Sequence, residues 1–249
     1  MARSNCLAPL AIFMVLFVQS MSLGTDIYTG SWLDGHATFY GDMAGHGILD
    51  GACGYGQINN PGYYGLWTTA LSVALYNNGL SCGACFEVKC VNSPLCYKTA
   101  PWIKVTAVDL CPGGNWCDPP LKHFDLSMKM FTTIAPISAG VVPIQFRRVP
   151  CVRAQGVNFL IKGSPNFLIV LVYNVANAGD VYAMSVKGSK TGWIPMSRNW
   201  GQNWNVGTNL GGQALSFRVT TSDRKTLDFI NVAPPQWQFG QSYKSPTNF

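Results

Sequence analysis

Arg153-Ala154-Gln155-Gly156 divides the chain into two halves of different construction. Eight of the nine cysteines lie before it, between Cys53 and Cys151, and none follows. The first half is rich in glycine and cysteine, with short strand signals at residues 36–40, 86–89 and 102–108. In the last of these, Ile103, Val105 and Ala107 fall on one face, and Lys104 and Thr106 on the other. Two helices are predicted: one from about Leu66 to Asn78, stopped by Gly79, and one starting at Asp125 and running towards Ile134. The second half reads as strands joined by turns. Residues 167–173 are almost continuously apolar, 181–187 follow, and 215–221 alternate Leu215, Phe217 and Val219 with polar neighbours. Ser222-Asp223-Arg224-Lys225 turns the chain back into 227–232. No helix is predicted there, and the pattern favours a two-sheet β-sandwich.

The N-terminus and the cysteines set the compartment. Residues 1–24 read as a secretory signal: Arg3 gives the positive start, residues 7–18 are apolar, and Ser20, Ser22 and Gly24 supply small residues for cleavage. A membrane span needs about 20 apolar residues, so the mature chain is expected to be exported and not integral to a membrane. Cys6 lies in the signal. The remaining eight cysteines imply four disulfides, in any of about 105 connectivities. Export therefore makes Cys82-Gly83-Ala84-Cys85 part of a disulfide framework and not a redox or zinc motif. The formal charge of +6 is scattered, with no basic run longer than an adjacent pair such as Arg147-Arg148. That distribution argues against nucleic acid and suits residence among acidic polymers.

Only 11% of residues are charged, and Glu87 is the single glutamate. Few groups are therefore available for acid–base work, and His123-Phe124-Asp125 stands out. Glycoside hydrolysis needs two carboxylates about 5 to 9.5 Å apart, an acid for the leaving oxygen and a base or nucleophile. Asp125 suits the acid if apolar neighbours such as Phe124 raise its pKa. It equally suits a helix N-cap before Leu126-Ser127-Met128, where a carboxylate stays ionised. The second carboxylate has three candidates. Asp42 and Asp50 lie in the glycine-rich segment 41–51, where aspartates also hold turns; Asp109 ends a predicted strand beside Cys111. His36, His46 and His123 are dispersed. A three-histidine metal site competes with a plainer reading, in which His123 supports Asp125 and the other two lie on the surface. No metal and no cofactor is expected.

Several ordered motifs carry a resemblance. Thr38-Phe39-Tyr40-Gly41, Gly51-Ala52-Cys53-Gly54-Tyr55-Gly56 and His123-Phe124-Asp125-Leu126-Ser127 resemble those of plant expansins, specifically the α-expansins. Arg147-Arg148-Val149-Pro150-Cys151, Thr191-Gly192-Trp193, Arg198-Asn199-Trp200-Gly201-Gln202-Asn203-Trp204 and Trp237-Gln238-Phe239-Gly240 extend the resemblance over the whole mature chain. It implies an all-β protein: a six-stranded double-psi β-barrel related to family-45 glycoside hydrolases, over 25–153, then an immunoglobulin-like β-sandwich that binds polysaccharide, over 157–249. It implies Asp125 in the position of the hydrolase acid, with the hydrolase base missing and with Thr38, Tyr40 and Asp109 lining the same groove. It also implies the bridges Cys53–Cys82, Cys85–Cys151, Cys90–Cys96 and Cys111–Cys117. Two features depart from the pattern. The segment between Cys111 and Cys117 is much shorter than is usual in α-expansins, and Asp42 and Asp50 stand where the family usually has glycine.

Sugar-binding surfaces offer aromatic faces to the C–H faces of pyranose rings. By the resemblance, Phe167 and Trp200 match an aromatic platform; Trp204 is a further candidate, whereas Trp193 is expected to be buried. Tyr40 and Trp116 are the groove-side aromatics of the first half, with Trp116 alternatively a lid over the Cys111–Cys117 loop. The expectation is a monomeric protein secreted to the plant cell wall, where it binds cellulose and xyloglucan and loosens their contacts in acid without hydrolysis. A weak endo-β-glucanase and a wall-binding protein without loosening activity are the alternatives.

Overall fold

The computed structural model describes Tyr28 and residues 30–46, 51–56 and 63–249. The signal segment, with Cys6, and Asp50 lie outside the described residues. Six strands close into a barrel: β1 (Leu33–Tyr40), β2 (Thr68–Leu71), β3 (Cys85–Cys90), β4 (Ile103–Leu110), β5 (His123–Ser127) and β6 (Val142–Val149). Their order around the barrel is β1-β5-β2-β4-β3-β6. The β1–β5 and β2–β4 pairs are parallel. Alternate residues fill the interior, including Ala37, Val88, Val105, Ala107, Leu126 and Ile144. Phe124 packs at its centre against Phe86 at 5.2 Å and Phe146 at 4.8 Å. This is the double-psi barrel, tied by four disulfides in the pairing that the resemblance implied.

Both predicted helices are revised. Thr68–Leu71 is a fully buried strand between β4 and β5, and only Val73–Tyr76 (α1) is α-helical, followed by a 3₁₀ turn over Asn77–Gly79. Thr68 and Thr69 are β-branched, and pairing on both edges outweighs the helical spacing of the apolar residues. The second helix, α2, is Met128–Ile134, and its N-cap is Ser127, whose side chain accepts from the Met130 amide. Asp125 is not the cap: it lies mid-strand in β5, opposite Thr38 and Ala70.

The second half holds β7 (Asn158–Ser164), β8 (Phe167–Tyr173), β9 (Val181–Gly188), β10 (Ile194–Trp200), β11 (Asn203–Val206), β12 (Leu215–Thr221), β13 (Thr226–Ala233) and β14 (Ser242–Lys244). Strand β10 pairs with β9 through its first residues and with β11 through its last, so it passes from one sheet to the other. The resulting sheets, β13-β12-β9-β10 and β10-β11-β8-β7-β14, enclose one core in an immunoglobulin-like sandwich. Phe159 of one sheet stacks on Phe217 of the other at 4.4 Å.

The halves are packed together. Tyr55, Tyr64 and the Cys53–Cys82 bridge share a buried cluster with Leu171 and Tyr173 of β8. Arg148 of β6 reaches the carboxylate of Asp180 at 2.8 Å, and Cys151 bridges to Asn177. The side chain of Gln202 donates to the Cys82 carbonyl at 2.8 Å, and its backbone amide donates to that of Cys53 at 3.0 Å.

Candidate functional site

Strand alternation builds the site. In β5, Phe124 and Leu126 point into the barrel core, which turns His123, Asp125 and Ser127 to the other face. In β1, inward Ala37 likewise leaves His36, Thr38 and Tyr40 on that face. The parallel register sets His36 beside His123 and Thr38 beside Asp125. Register continues from Asp125 to Ala70 of β2 and from Ala70 to Asp109 of β4. One row across four strands is therefore Thr38, Asp125, Ala70 and Asp109. The two aspartates are two strand spacings apart, about 10 Å between Cα atoms, with Ala70 between them in register.

The Thr38 hydroxyl donates to Asp125 Oδ1 at 2.7 Å and lies 2.8 Å from His123 Nε2. A threonine hydroxyl carries one hydrogen, so when Asp125 accepts it, His123 Nε2–H must donate to Thr38. His123 is almost wholly buried. Burial first, then the neighbouring His36, lowers its pKa from 6.5 to about 4, which keeps the imidazole neutral. Its backbone amide is fixed by Ser72 Oγ at 3.2 Å. Burial acts on Asp125 in the opposite sense and raises its pKa above 3.8; the Thr38 hydrogen bond works against this rise, and the charge of Asp109 adds to it. Burial also raises Tyr40, and both aspartates add to the effect, so its phenol stays protonated. The Tyr40 hydroxyl is buried without a hydrogen-bond partner among the described residues.

The other carboxylates are engaged in holding loops. Asp109 Oδ1 accepts from the amides of Ala52 at 2.6 Å and Leu110 at 2.8 Å. Asp42 accepts from the amides of Ala44 and His46 and faces His46 Nδ1 at 2.9 Å. These bonds, the His46 amide first and the His46 ring next, lower its pKa. Asp42 is thus the turn-holder of the glycine-rich segment. Among the described residues no group of three or more metal-ligating side chains occurs.

Trp116, held by the Cys111–Cys117 bridge, lies 4.4 Å from the His36 ring and is nearly parallel to His123 at 6.5 Å. It therefore covers the histidine end of the row. His36 is not a detached surface residue but the floor under Trp116. Its spacing two before Thr38 was the available signal.

On the sandwich, Phe167 and Trp200 are about half exposed. Core residues Leu168, Val170 and Val172 alternate with Phe167, Ile169 and Leu171 along β8, so Phe167 faces outward on the sheet that docks onto the barrel. Trp200 ends β10 with its ring close to Gly54 of the barrel. Gly54 is two residues beyond Ala52, whose amide Asp109 holds. The barrel row and the Trp200 ring are thereby connected by one short loop. Trp204 belongs elsewhere: it is only 3% exposed, packs in the sandwich core, and donates its indole N–H to Gln202 at 3.3 Å. The alternation of β11 turns it inward. Trp193 is half-buried and not buried, its ring 4.5 Å from the Arg218 guanidinium.

Comparison with known proteins agrees with this architecture. A family model described as Expansin C-terminal domain matches residues 157–234, and one described as Lytic transglycolase matches residues 68–146. Expansin-A23 of Arabidopsis thaliana is 54% identical over 226 residues, which are 88% of this chain and 81% of that protein. Expansin-A22 of the same plant is 47% identical, with 96% of each chain covered. Expansin-A32 of Oryza sativa subsp. japonica is 49% identical, over 88% of this chain and 85% of its own length. Among solved structures, the apo Clavibacter michiganensis expansin superposes with a TM-score of 0.69 at 19% identity, covering 88% of this chain and 98% of that one. A mutant of that protein, solved in complex with cellohexaose, gives the same values.

Proposed function

This chain belongs to the expansin family, in its α subfamily, and from that premise we propose that it loosens plant cell walls by binding β-glucan and disrupting polysaccharide contacts in acid, without hydrolysis. The cellohexaose complex of the bacterial structural neighbour supports a β-glucan ligand. The carrying observation is the Thr38–Asp125 pair on an outward barrel face, in one row with Asp109, whose carboxylate is already committed to backbone amides. Thr38 holds Asp125 Oδ1 as an acceptor, so a proton taken up by Asp125 resides on Oδ2. Burial favours that uptake, and falling pH enlarges the fraction of molecules able to donate. Such a donor competes for glucan oxygens that otherwise bond to neighbouring chains. His123, through Thr38, keeps the donor oriented, while Trp116, Trp200 and Phe167 supply ring faces for the sugars. Secretion to the wall and action as a monomer complete the reading, with cellulose and xyloglucan as ligands.

Replacing Asp125 with Ala removes the titrating proton together with any donor in its place. Acid-induced creep of heat-inactivated plant walls should vanish while binding to crystalline cellulose stays within about twofold, because stacking contacts of about 1 kcal/mol each are untouched. Full creep in the variant would sink the mechanism. Cellulose binding without creep in the wild type would select the purely binding alternative. Endo-β-glucan hydrolysis is favoured by one observation, the presence of Asp109 two strands from Asp125. New reducing ends from soluble β-glucan, lost in both Asp109→Ala and Asp125→Ala, would establish it. The two amides on Asp109 Oδ1 argue against a base at that position.

A further inference from the structure

The barrel flank opposite the groove carries a second arrangement that the wall-loosening row does not use. Outward residues of β4, β3 and β6 lie side by side there: Lys104 opposite Glu87, and Glu87 opposite Arg147. Glu87 is nearly buried and is neutralised from both sides, by Arg147 Nη2 at 2.6 Å and Lys104 Nζ at 3.5 Å. One turn of the pleat away, Trp32 and Trp102 form an edge-on pair at 5.0 Å. Lys89 Nζ lies 4.1 Å from the Trp32 ring, and the Arg147 guanidinium 4.7 Å. Trp102 is 54% exposed, and Lys104 keeps 61% of its side chain in solvent.

At the other end of Lys104 the surface opens into a cleft of about 270 Å³, lined by Tyr64, Trp67, Lys104, Thr106 and Arg153 among others. Arg153 donates to Thr106 Oγ1 at 2.8 Å and rests on the Tyr64 ring at 4.5 Å. Its buried Nε has no partner among the described residues. Trp67, 56% exposed, forms the opposite wall. Lys89, Lys104, Arg147 and Arg153 thus share one flank with exposed indole faces. Glu87 and Asp34 are the acids facing them; Asp34, at the β1 edge, accepts from Gln145 at 3.1 Å. The surplus is positive in a chain whose charges are otherwise sparse.

We propose that this flank is a binding face for an acidic polysaccharide, a uronate-bearing chain whose carboxylates meet Lys89, Lys104 and Arg153 and whose pyranose faces stack on Trp102 and Trp67. Neither a neutral glucan nor a nucleic acid fits as well. A neutral chain leaves the positive surplus beyond the Glu87 pairs unanswered, and the flank has no run of adjacent basic residues to track phosphates. The face is independent of the Asp125 row, so it stands or falls apart from the loosening mechanism.

Titration of the full secreted chain with polygalacturonate tests it. Affinity should fall about tenfold or more between about 20 and 200 mM salt, as expected for exposed charges. The double variant Lys89→Glu/Lys104→Glu should bind more than tenfold more weakly at low salt, with retention on crystalline cellulose within twofold. Trp102→Ala, which keeps every charge, should weaken binding about fivefold, the share of one stacking contact. A matched variant, Lys129→Glu/Lys190→Glu, changes net charge equally at exposed sites elsewhere and should stay within twofold of wild type. Undiminished binding in the Lys89/Lys104 variant, an equal loss in the matched variant, or no binding by the wild type would each overturn the proposal.

Discussion

Thr38→Val is the most direct probe of the groove. Valine keeps β-branching and shape but deletes the hydroxyl that donates to Asp125 Oδ1 at 2.7 Å and meets His123 Nε2 at 2.8 Å. Two consequences follow with fixed signs. The lost hydrogen bond favoured ionised Asp125, so its removal lets burial and Asp109 raise the carboxyl further. A hydrogen bond to a charged group contributes about 1.5–3 kcal/mol. For this half-buried pair the lower end applies, which corresponds to roughly one pH unit. His123 Nε2–H is left buried without an acceptor, at a cost of about 1–3 kcal/mol of stability. Creep rate against pH, normalised to its own maximum, should therefore move upward by about one unit. The carboxyl ¹³C shift of Asp125 should titrate in step with it. Urea denaturation would register the stability loss. A folded Thr38→Val protein whose profile stays fixed, or moves towards lower pH, refutes the reasoning.

The remaining expectations follow from burial. Trp200→Ala should lower retention on cellulose about fivefold, as loss of about 1 kcal/mol of stacking requires, and leave thermal unfolding unchanged. Trp204→Ala should instead cost about 3–5 kcal/mol through a core cavity, read as a lower urea midpoint. His123 has a folded pKa of about 4 against 6.5 in an ordinary setting. It therefore contributes stability that is complete above 6.5 and is lost as pH falls towards 4, about 3 kcal/mol in all. His123→Gln should flatten that acid limb in urea titrations performed across the interval; an unchanged limb would remove His123 as its cause.

Strand alternation made much of this protein legible. The runs at 167–173 and 215–221 coincide with β8 and β12, because a sandwich strand is specified by its own apolar pattern. Short barrel strands are not. Thr68–Leu71 is buried on both faces, so no alternation marks it, and the apolar residues beyond it mimic a helix. Asp125 shows the same limit. Its position before Leu126-Ser127-Met128 read as an N-cap, yet the cap is Ser127, and only long-range pairing with Thr38 assigns Asp125 to a strand. The groove residues could be named from motifs, but their roles needed register. Asp109 and Asp42 became loop-holders once their amide partners were visible. Trp200 and Trp204, four residues apart, separated into surface and core because the chain turns at Gly201 between β10 and β11. No sequence signal marks the cationic flank, because its members come from distant segments, each with unremarkable charge.

The opposed shifts at His123 and Asp125 have one consequence when taken together. Both arise chiefly from burial, which penalises the charged form of each group. As pH falls below the ordinary histidine range, a solvent-exposed imidazole would gain a second N–H, and its positive charge would favour ionised Asp125. His123 instead remains neutral down to about 4, so over that range it presents the same single donor to Thr38, while burial raises Asp125 above its ordinary value. Thr38 then keeps donating to Oδ1, and the new proton stays on the other oxygen. Below about 4 the imidazole charges, and its field works against the protonated carboxyl. Under the proposed mechanism, protonation of Asp125 should set the upper pH limit of loosening, and charging of His123, at about 4, should set the lower one.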